Sequence, residues 1–470
     1  MAALLTSVSF ASGCGTEPAS NDASATSRAT SRLPDIVFVV LCTFRYAHMG
    51  AAGYDRDTTP FLDSLGASGL FFENAVSASS WTKPAAASLL TGLTPNVHRM
   101  TDYYGREKGG TKVLEKRILG DDVVTLAETL RDAGYATVAR INNVHVSEHF
   151  NLTQGFDDAI SNESLNAKTM VAELARVARE IPHDQPLFFF LMSRDPHVTF
   201  DPHYVWYERF NRADDIVPRE EYRTYTRALR KQVAEIADAH GELSSELLRR
   251  YVDLYDAELA QQDDALAGIP GALRAAGRED DAIYVITADH GERFYEHGYI
   301  GHGGRLDEAS VHVPLIFSGP GLPREVLGTP PTGRREVRVV RSIDVYPTLA
   351  ALANAASPEG LLGRNLLDPN DTVARTAFAS VDEVEHLVRD GSYQLYRRRD
   401  GSIELYDLER DRGEREDLAS ERTAVRARLQ ALVDDWLERE RGLRNSVAAG
   451  ERRPLPTEAV EQLRDLGYVE

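Results

Sequence analysis

The sequence predicts an α/β protein: a doubly wound, mostly parallel β-sheet with helices on both faces, followed by a small α+β subdomain. Residues 35–42 form a continuous apolar, β-branched run, typical of a strand buried on both faces. Similar runs recur at 136–141, 186–192, 282–287 and 313–317. Helical periodicity fills the intervals, at 122–133, at 220–267 with a break near Gly241, and at 343–354. Alternation of strand and helix is what a doubly wound sheet requires.

The C-terminal part of the chain has a different pattern. Residues 393–396 and 403–406 alternate apolar and polar side chains on either side of an Arg-Asp-Gly-Ser turn, which predicts a β-hairpin. A charged helix at 421–440 and a short helix at 457–466 follow. We therefore predict a large domain over residues 34–370 and an α+β subdomain over residues 371–470.

The N-terminus resembles an export signal. Residues 1–13 are small, apolar and uncharged, and the sequence Ala-Ser-Gly-Cys that ends at Cys14 resembles a bacterial lipobox. Residues 14–33 have the Ser/Thr/Ala-rich composition of a flexible tether. We predict a signal peptide, lipidation at Cys14, and an exported cell-envelope protein that meets the membrane only through this anchor. Because the usual Lys/Arg start of a signal peptide is missing, plain secretion and a cytoplasmic disordered tail stay open.

The charge of the chain bears on its partners. The 470 residues carry a formal net charge of −20, which argues against nucleic acid because no basic surface would meet the phosphates. An anionic small molecule is still compatible with this charge, since a metal ion or a local group of cations can invert the field inside one cleft.

The most specific motif is Ser80-Trp-Thr-Lys-Pro-Ala-Ala-Ala-Ser-Leu-Leu-Thr-Gly92. It resembles the C/S-x-P-S-R-x-S-L-L-T-G signature of the sulfatase family, in the alkaline phosphatase superfamily. The resemblance puts Thr82 at the position of the nucleophile. Lys83, next to Thr82, either contacts an anion or is simply solvated. Threonine cannot be oxidised to formylglycine, so we expect none. A Thr ester must be cleaved by water at its central atom, which suits phosphoryl better than sulfuryl transfer. Alternatively, Thr82 only caps a helix.

A second motif, Asp289-His-Gly-Glu292, follows a predicted buried strand, and a carboxylate beside an imidazole is a plausible metal pair. It resembles the D-H-G-E element of the family, which makes Asp289 and His290 ligands of one divalent ion, Ca²⁺, Mg²⁺ or Zn²⁺. Cys42 stands where the family has another ligand Asp, and Ala47 replaces a further Asp. Cys42 is either a ligand for a softer ion such as Zn²⁺ or a small buried hydrophobe beside a weakened site.

Other segments resemble supporting elements of the family's site. His197 matches a D-P-H element and His302 an H-G element, and the resemblance assigns both to the leaving group or the ester. Arg305 is a candidate anion contact. Three weaker candidates for substrate binding are Arg45, Asn143 and His145.

These motifs predict a hydrolase of sulfate, phosphate or phosphonate esters, with a small molecule or a glycan carrying the ester. Cys42, Ala47, Ala85 and Ala86 depart from the family pattern. They support an alternative: a pseudoenzyme at the cell envelope that binds anionic esters or glycans without cleaving them.

Overall fold

The structure is a computed structural model that describes residues 32–102, 115–198, 200–327, 333–371 and 373–465. The predicted signal peptide, Cys14 and nearly all of the predicted tether lie outside these ranges. Within the described residues, no helix combines the length and the apolar composition that a membrane crossing needs.

The strands are, in chain order, β1 (Asp35–Leu41), β2 (Leu70–Val76), β3 (Glu115–Arg117), β4 (Ala136–Ile141), β5 (Asp158–Ser161), β6 (Leu187–Ser193), β7 (Ala282–Ala288), β8 (Arg293–Phe294), β9 (Ile300–Gly301), β10 (His312–Ser318), β11 (Arg334–Arg341), β12 (Thr376–Val381), β13 (Glu385–Asp390), β14 (Tyr393–Arg397), β15 (Ile403–Asp407) and β16 (Arg452–Pro454). The α-helices are α1 (Pro60–Ser68), α2 (Thr82–Thr91), α3 (Pro95–His98), α4 (Leu126–Asp132), α5 (Ala167–Glu180), α6 (Tyr204–Phe210), α7 (Tyr222–Asp238), α8 (Ser245–Leu266), α9 (Ile269–Ala275), α10 (Glu308–Val311), α11 (Arg324–Leu327), α12 (Val345–Leu352), α13 (Thr423–Ser446) and α14 (Thr457–Asp465).

The large sheet has the strand order β11-β2-β10-β7-β1-β6-β4-β5 among the described residues. Its neighbours pair in parallel, except that β10 is antiparallel to both β2 and β7. Every residue of β1, β4, β6, β7 and β10 is buried, which is why their apolar runs were visible in the sequence. The predicted mostly parallel sheet is confirmed.

Three strands of this sheet, β2, β5 and β11, were not predicted from the sequence. Strand β5 lies at one edge of the sheet, has four residues and is mostly exposed. In β2 the polar residues Glu73 and Asn74 interrupt the apolar run, and β11 consists largely of arginine and valine. Strand β11 lies at the edge of the sheet with its first residues exposed, so its sequence does not show the continuous apolar pattern of a central strand.

The helices follow the predicted pattern with shifted ends. The predicted break near Gly241 is confirmed, because α7 ends at Asp238 and α8 begins at Ser245. Helix α4 begins at Leu126, four residues after the predicted start, because Thr125 and Glu128 form a capping box there. Helix α13 runs on to Ser446, beyond the predicted end at residue 440.

The C-terminal part contains a separate antiparallel sheet with the order β12-β13-β14-β15. Strands β14 and β15 are the predicted hairpin, while β12 and β13 were not predicted. The ring of Trp436 on α13 stacks on Phe378 of β12, with ring centroids 4.2 Å apart. The described residues from Leu33 onward form one compact unit, so the boundary between residues 370 and 371 stays a prediction.

The topology brings several loops to one edge of the large sheet. Strands β1, β4, β6 and β7 are parallel, so the segments that follow them meet at the carboxyl ends. Strand β2 points the same way and continues into α2. Because β10 is antiparallel to its neighbours, the segment before it, which contains His302, arrives at that edge too.

Candidate active site

Helix α2 presents the predicted nucleophile. Thr82 is its first residue, and every residue of the helix is buried. The N-cap is Trp81, and it makes no side-chain capping bond. The interpretation of Thr82 as only a cap is therefore wrong, since its hydroxyl is directed at Cys42 and His290.

The hydroxyl of Thr82 lies 3.2 Å from Nε2 of His290. Nδ1 of His290 lies 2.8 Å from the carbonyl oxygen of Gly291, which can only accept a hydrogen bond, so Nδ1 carries the proton. Burial lowers the pKa of His290 and keeps its ring neutral. Nε2 is thus an acceptor, and Thr82 donates to it.

Three side chains beside Thr82 can hold a metal ion. The ligand atoms of Cys42, Asp289 and His290 lie within 4.8 Å of one another, and all three residues are buried. Oδ1 of Asp289 accepts from the backbone N–H of Thr43 at 3.1 Å and from that of His290 at 2.7 Å. Oδ2 of Asp289 has no hydrogen-bond partner although it is buried. An acceptor in this position fits a cation, so the donor set is compatible with the divalent ion that the motifs predicted.

Asn143 belongs to the same group. Its Nδ2 donates to Sγ of Cys42 at 3.6 Å, and its Oδ1 accepts from the backbone N–H of His145 at 3.0 Å. The imidazole of His145 is buried at 6.1 Å from the ring of Trp81, and burial lowers its pKa well below the ordinary value. Both residues lie in the segment that follows β4.

Two further histidines line this edge of the sheet. The ring of His302 lies 4.5 Å from that of His290 and 4.9 Å from that of His197. Nδ1 of His302 lies 3.2 Å from both carboxyl oxygens of Glu292. Burial raises the pKa of Glu292 to about 8 and lowers the pKa of His302 to about 4. At neutral pH both groups are therefore uncharged: Glu292 donates to Nδ1, and the proton of His302 stands on Nε2.

The three predicted cationic residues make their contacts with residues outside the group around Thr82. Nζ of Lys83 is fully buried and donates to the carbonyl of Asp102 at 3.0 Å; burial lowers its pKa to about 7. Arg45 pairs with Glu296 at 2.5 Å, and Arg305 lies 3.5 Å from Glu404 of the C-terminal sheet. No hydrogen bond found among the described residues joins these three cations to Thr82.

The four central side chains of the site are buried, and an open cavity found in the structure is lined by other residues. Thr82, Cys42, Asp289 and His290 are all 0% exposed. A cavity of about 1110 Å³ is lined by Arg45, Phe294 and Glu296 among others, and none of the four lines it.

Some residues that support the site through hydrogen bonds were not predicted from the sequence. Glu292 was visible as part of its motif, but its contact with His302 could not be deduced from spacing. Tyr255 on α8 carried no signal: its hydroxyl donates to the carbonyl of Thr43 at 3.0 Å and accepts from the backbone N–H of Arg45 at 2.9 Å. It thereby fixes the loop that follows β1.

Known proteins resemble the chain in sequence. A family model described as Sulfatase matches residues 34–355. The uncharacterized sulfatase YidJ of Escherichia coli (strain K12) is 24% identical, with 87% of this chain and 88% of the relative covered. Arylsulfatase K of Mus musculus is 22% identical, with 83% of this chain and 77% of the relative covered.

Solved structures resemble the chain in fold. A protein determined in complex with its substrate D-glucosamine-2-N,6-O-disulfate superposes with a TM-score of 0.70 at 17% identity, over 87% of this chain and 98% of that one. The phosphonate monoester hydrolase of Agrobacterium radiobacter gives a TM-score of 0.67 at 19% identity, over 90% and 97%. At these identities the likeness establishes the fold alone.

Proposed function

Because the chain belongs to the sulfatase family, we propose that it is a metal-assisted hydrolase of sulfate, phosphate or phosphonate esters with Thr82 as its nucleophile. The ester is carried by a small molecule or a glycan. A neighbour in fold was solved with a sulfated glucosamine, and another is named as a phosphonate monoester hydrolase.

One observation carries the proposal. The hydroxyl of Thr82, at the first position of a buried helix, lies 3.2 Å from Nε2 of His290, and His290 belongs to the group of potential metal ligands. A threonine hydroxyl is a poor nucleophile near neutral pH unless a base or a cation activates it. The N-terminus of α2 adds a positive dipole where an anionic ester would be attacked.

The chain's own residues account for the reaction as follows. A divalent ion held by Asp289 and His290 would lower the pKa of the hydroxyl and neutralise the ester oxygens. The hydroxyl of Thr82 loses its proton to water, and its oxygen forms a bond to phosphorus or sulfur while the bond to the leaving oxygen breaks. The departing oxygen takes the Nε2 proton of His302 while the carboxyl proton of Glu292 moves to Nδ1, so that Glu292 is left ionised. Water then attacks the same central atom, releases the inorganic anion and restores the hydroxyl of Thr82.

The test is turnover by the purified full chain, loaded with a divalent ion, on aryl phosphate, phosphonate and sulfate esters. We expect Thr82→Ala to lower kcat by about 1000-fold or more, because the attacking atom is lost. In wild type, an acid quench followed by peptide mass spectrometry should find the phosphoryl or phosphonyl group on Thr82.

Thr91→Ala is the matched control, since Thr91 is buried at the other end of the same helix, where its hydroxyl donates to the carbonyl of Ala87 and accepts from the backbone N–H of Leu93. This variant should keep its turnover. Equal turnover in Thr82→Ala and wild type would overturn the role of Thr82. If no ester is cleaved by any metal-loaded form, the hydrolase is wrong and the binding protein suggested by Cys42, Ala85 and Ala86 takes its place.

A further inference from the structure

The potential metal ligands at the carboxyl ends of β1 and β7 include a sulfur atom. Among the described residues, Cys42, Asp289 and His290 are the only three such side chains found close enough together to share an ion. Asp289 supplies the single carboxylate of this group. Ca²⁺ takes about six to eight oxygen ligands, and Mg²⁺ about six, so one carboxylate with a thiol and an imidazole is a poor set for either ion.

The spacing of the atoms fits a four-coordinate ion. Ligand atoms about 2.0–2.3 Å from a tetrahedral ion lie about 3.3–3.8 Å from one another. Oγ1 of Thr82 lies 3.4 Å from Sγ of Cys42 and 3.2 Å from Nε2 of His290. Nε2 of His290 lies 3.5 Å from Oδ2 of Asp289. Small shifts would therefore place all four atoms around one ion.

The surroundings orient each protein ligand toward a shared point. The hydrogen bond from Nδ1 of His290 to the carbonyl of Gly291 leaves Nε2 as the electron-pair donor. Asp289 uses Oδ1 for two backbone N–H groups, and its buried Oδ2 has no hydrogen-bond partner. Asn143 donates to Sγ of Cys42, an interaction that favours a metal-bound thiolate.

From this donor set we propose that Cys42, Asp289 and His290 form a site selective for a thiophilic divalent ion, of the Zn²⁺ class, over Ca²⁺ and Mg²⁺. Oγ1 of Thr82 occupies the fourth position. Soft thiolate and imidazole ligands favour Zn²⁺ and its neighbours in the first transition row. The inference rests on the proposed function for the role of Thr82, but the ion preference can be measured without any substrate.

The experiment uses Co²⁺ as a spectroscopic probe in the chelator-stripped full chain. We expect a thiolate-to-cobalt charge-transfer band in the near ultraviolet, together with the intense visible bands of a four-coordinate ion. Cys42→Ser should lose the charge-transfer band and bind Zn²⁺ more than about 100-fold more weakly. Cys14→Ser, which removes the only other cysteine of the chain, should leave the spectrum unchanged.

Competition with bound Co²⁺ measures the preference of the site for Zn²⁺ over Ca²⁺ and Mg²⁺. Zn²⁺ should displace Co²⁺, whereas a large excess of Ca²⁺ or Mg²⁺ should not. Cys42→Asp should reduce the preference for Zn²⁺ and gain affinity for Ca²⁺, because a carboxylate oxygen replaces the thiol. A cobalt spectrum without a sulfur band, a spectrum unchanged in Cys42→Ser, or tighter binding of Ca²⁺ than of Zn²⁺ would each overturn the proposal.

The outcomes separate this inference from the proposed hydrolase. If Zn²⁺ binds through Cys42 but no ester is cleaved, the ion selectivity stands and the hydrolase fails. If ester cleavage needs Thr82 and runs with Ca²⁺ bound more tightly than Zn²⁺, the hydrolase stands and the selectivity fails.

Discussion

Tyr255→Phe tests whether the loop after β1 positions the potential metal ligands. The hydroxyl of Tyr255 donates to the carbonyl of Thr43 and accepts from the N–H of Arg45. The N–H of Thr43 in turn donates to Oδ1 of Asp289 at 3.1 Å. Thr43 has a positive φ of 57°, a conformation that a non-glycine residue adopts only when its surroundings enforce it. Removing one hydroxyl therefore releases a strained loop next to Asp289.

The size of the effect follows from the two lost hydrogen bonds. The substitution leaves one carbonyl and one N–H without their partner beside a side chain that is 0% exposed. A buried polar group that loses its partner costs about 1–3 kcal/mol, and the half-buried N–H of Arg45 costs only about 1 kcal/mol because water can reach it, so we expect the free energy of unfolding to fall by about 2–4 kcal/mol. Domains are typically stable by about 5–15 kcal/mol, so the variant should still fold. Tyr255 supports Asp289 indirectly, through the loop after β1, and loss of such a support should weaken the binding of Zn²⁺ by about 10–100-fold.

The assay combines urea unfolding with the affinity for Zn²⁺, measured by competition with a chelator. Tyr207→Phe is the matched control, because Tyr207 is also 0% exposed and its hydroxyl likewise donates to a carbonyl, that of Asp215, and accepts from an N–H, that of Val217. We expect both variants to lose similar stability, and only Tyr255→Phe to lose ion affinity.

Two results would refute this reasoning. If Tyr255→Phe unfolds at the same urea concentration as wild type, the hydrogen bonds do not carry the assigned energy. If it is destabilised but binds Zn²⁺ as tightly as wild type does, the loop does not position Asp289.

Two further predictions concern stability away from the site. Burial lowers the pKa of His386 in the C-terminal sheet from 6.5 to about 4. As the pH falls, the unfolded chain therefore binds a proton at His386 before the folded chain does. The free energy of unfolding falls for this reason by up to about 3 kcal/mol as the pH drops from about 6.5 through about 4. Thermal melts over this pH range should show a smaller loss of stability in His386→Asn. Arg278 is fully buried and donates to Asp35 at 3.0 Å, so Arg278→Met should lower the free energy of unfolding by about 3–5 kcal/mol. Urea titrations should show that Asp35→Asn recovers part of that loss, and full stability in the single Arg278→Met variant would contradict the argument.

The large sheet was predictable because its central strands carry their own signal. In β1, β4, β6 and β7 every residue is buried and most are apolar, so each strand can be recognised without knowledge of its neighbours. Strands at an edge or with a polar face lack that signal, which is why β2, β5 and β11 were not predicted.

The site was predictable only as a set of candidates. Motif resemblance selected Thr82, Asp289 and His290, and these three meet because they follow or precede strands that end at the same edge of the sheet. Arg305 was chosen by the same kind of resemblance, yet its guanidinium pairs with Glu404 of the other sheet. The spacing of the candidates along the sequence did not show which of them would lie near Thr82 in the folded chain.

The fold class, the family and the chemical types of the candidate groups can be inferred from the sequence, since buried runs and motifs are local properties of the chain. The packing of the elements is needed to show that Sγ of Cys42 and Oγ1 of Thr82 lie 3.4 Å apart. It is also needed to show that Tyr255 on α8 holds the loop that follows β1. Such contacts join residues 40 and more than 200 positions apart. They depend on how the strands and helices pack, which no local pattern encodes.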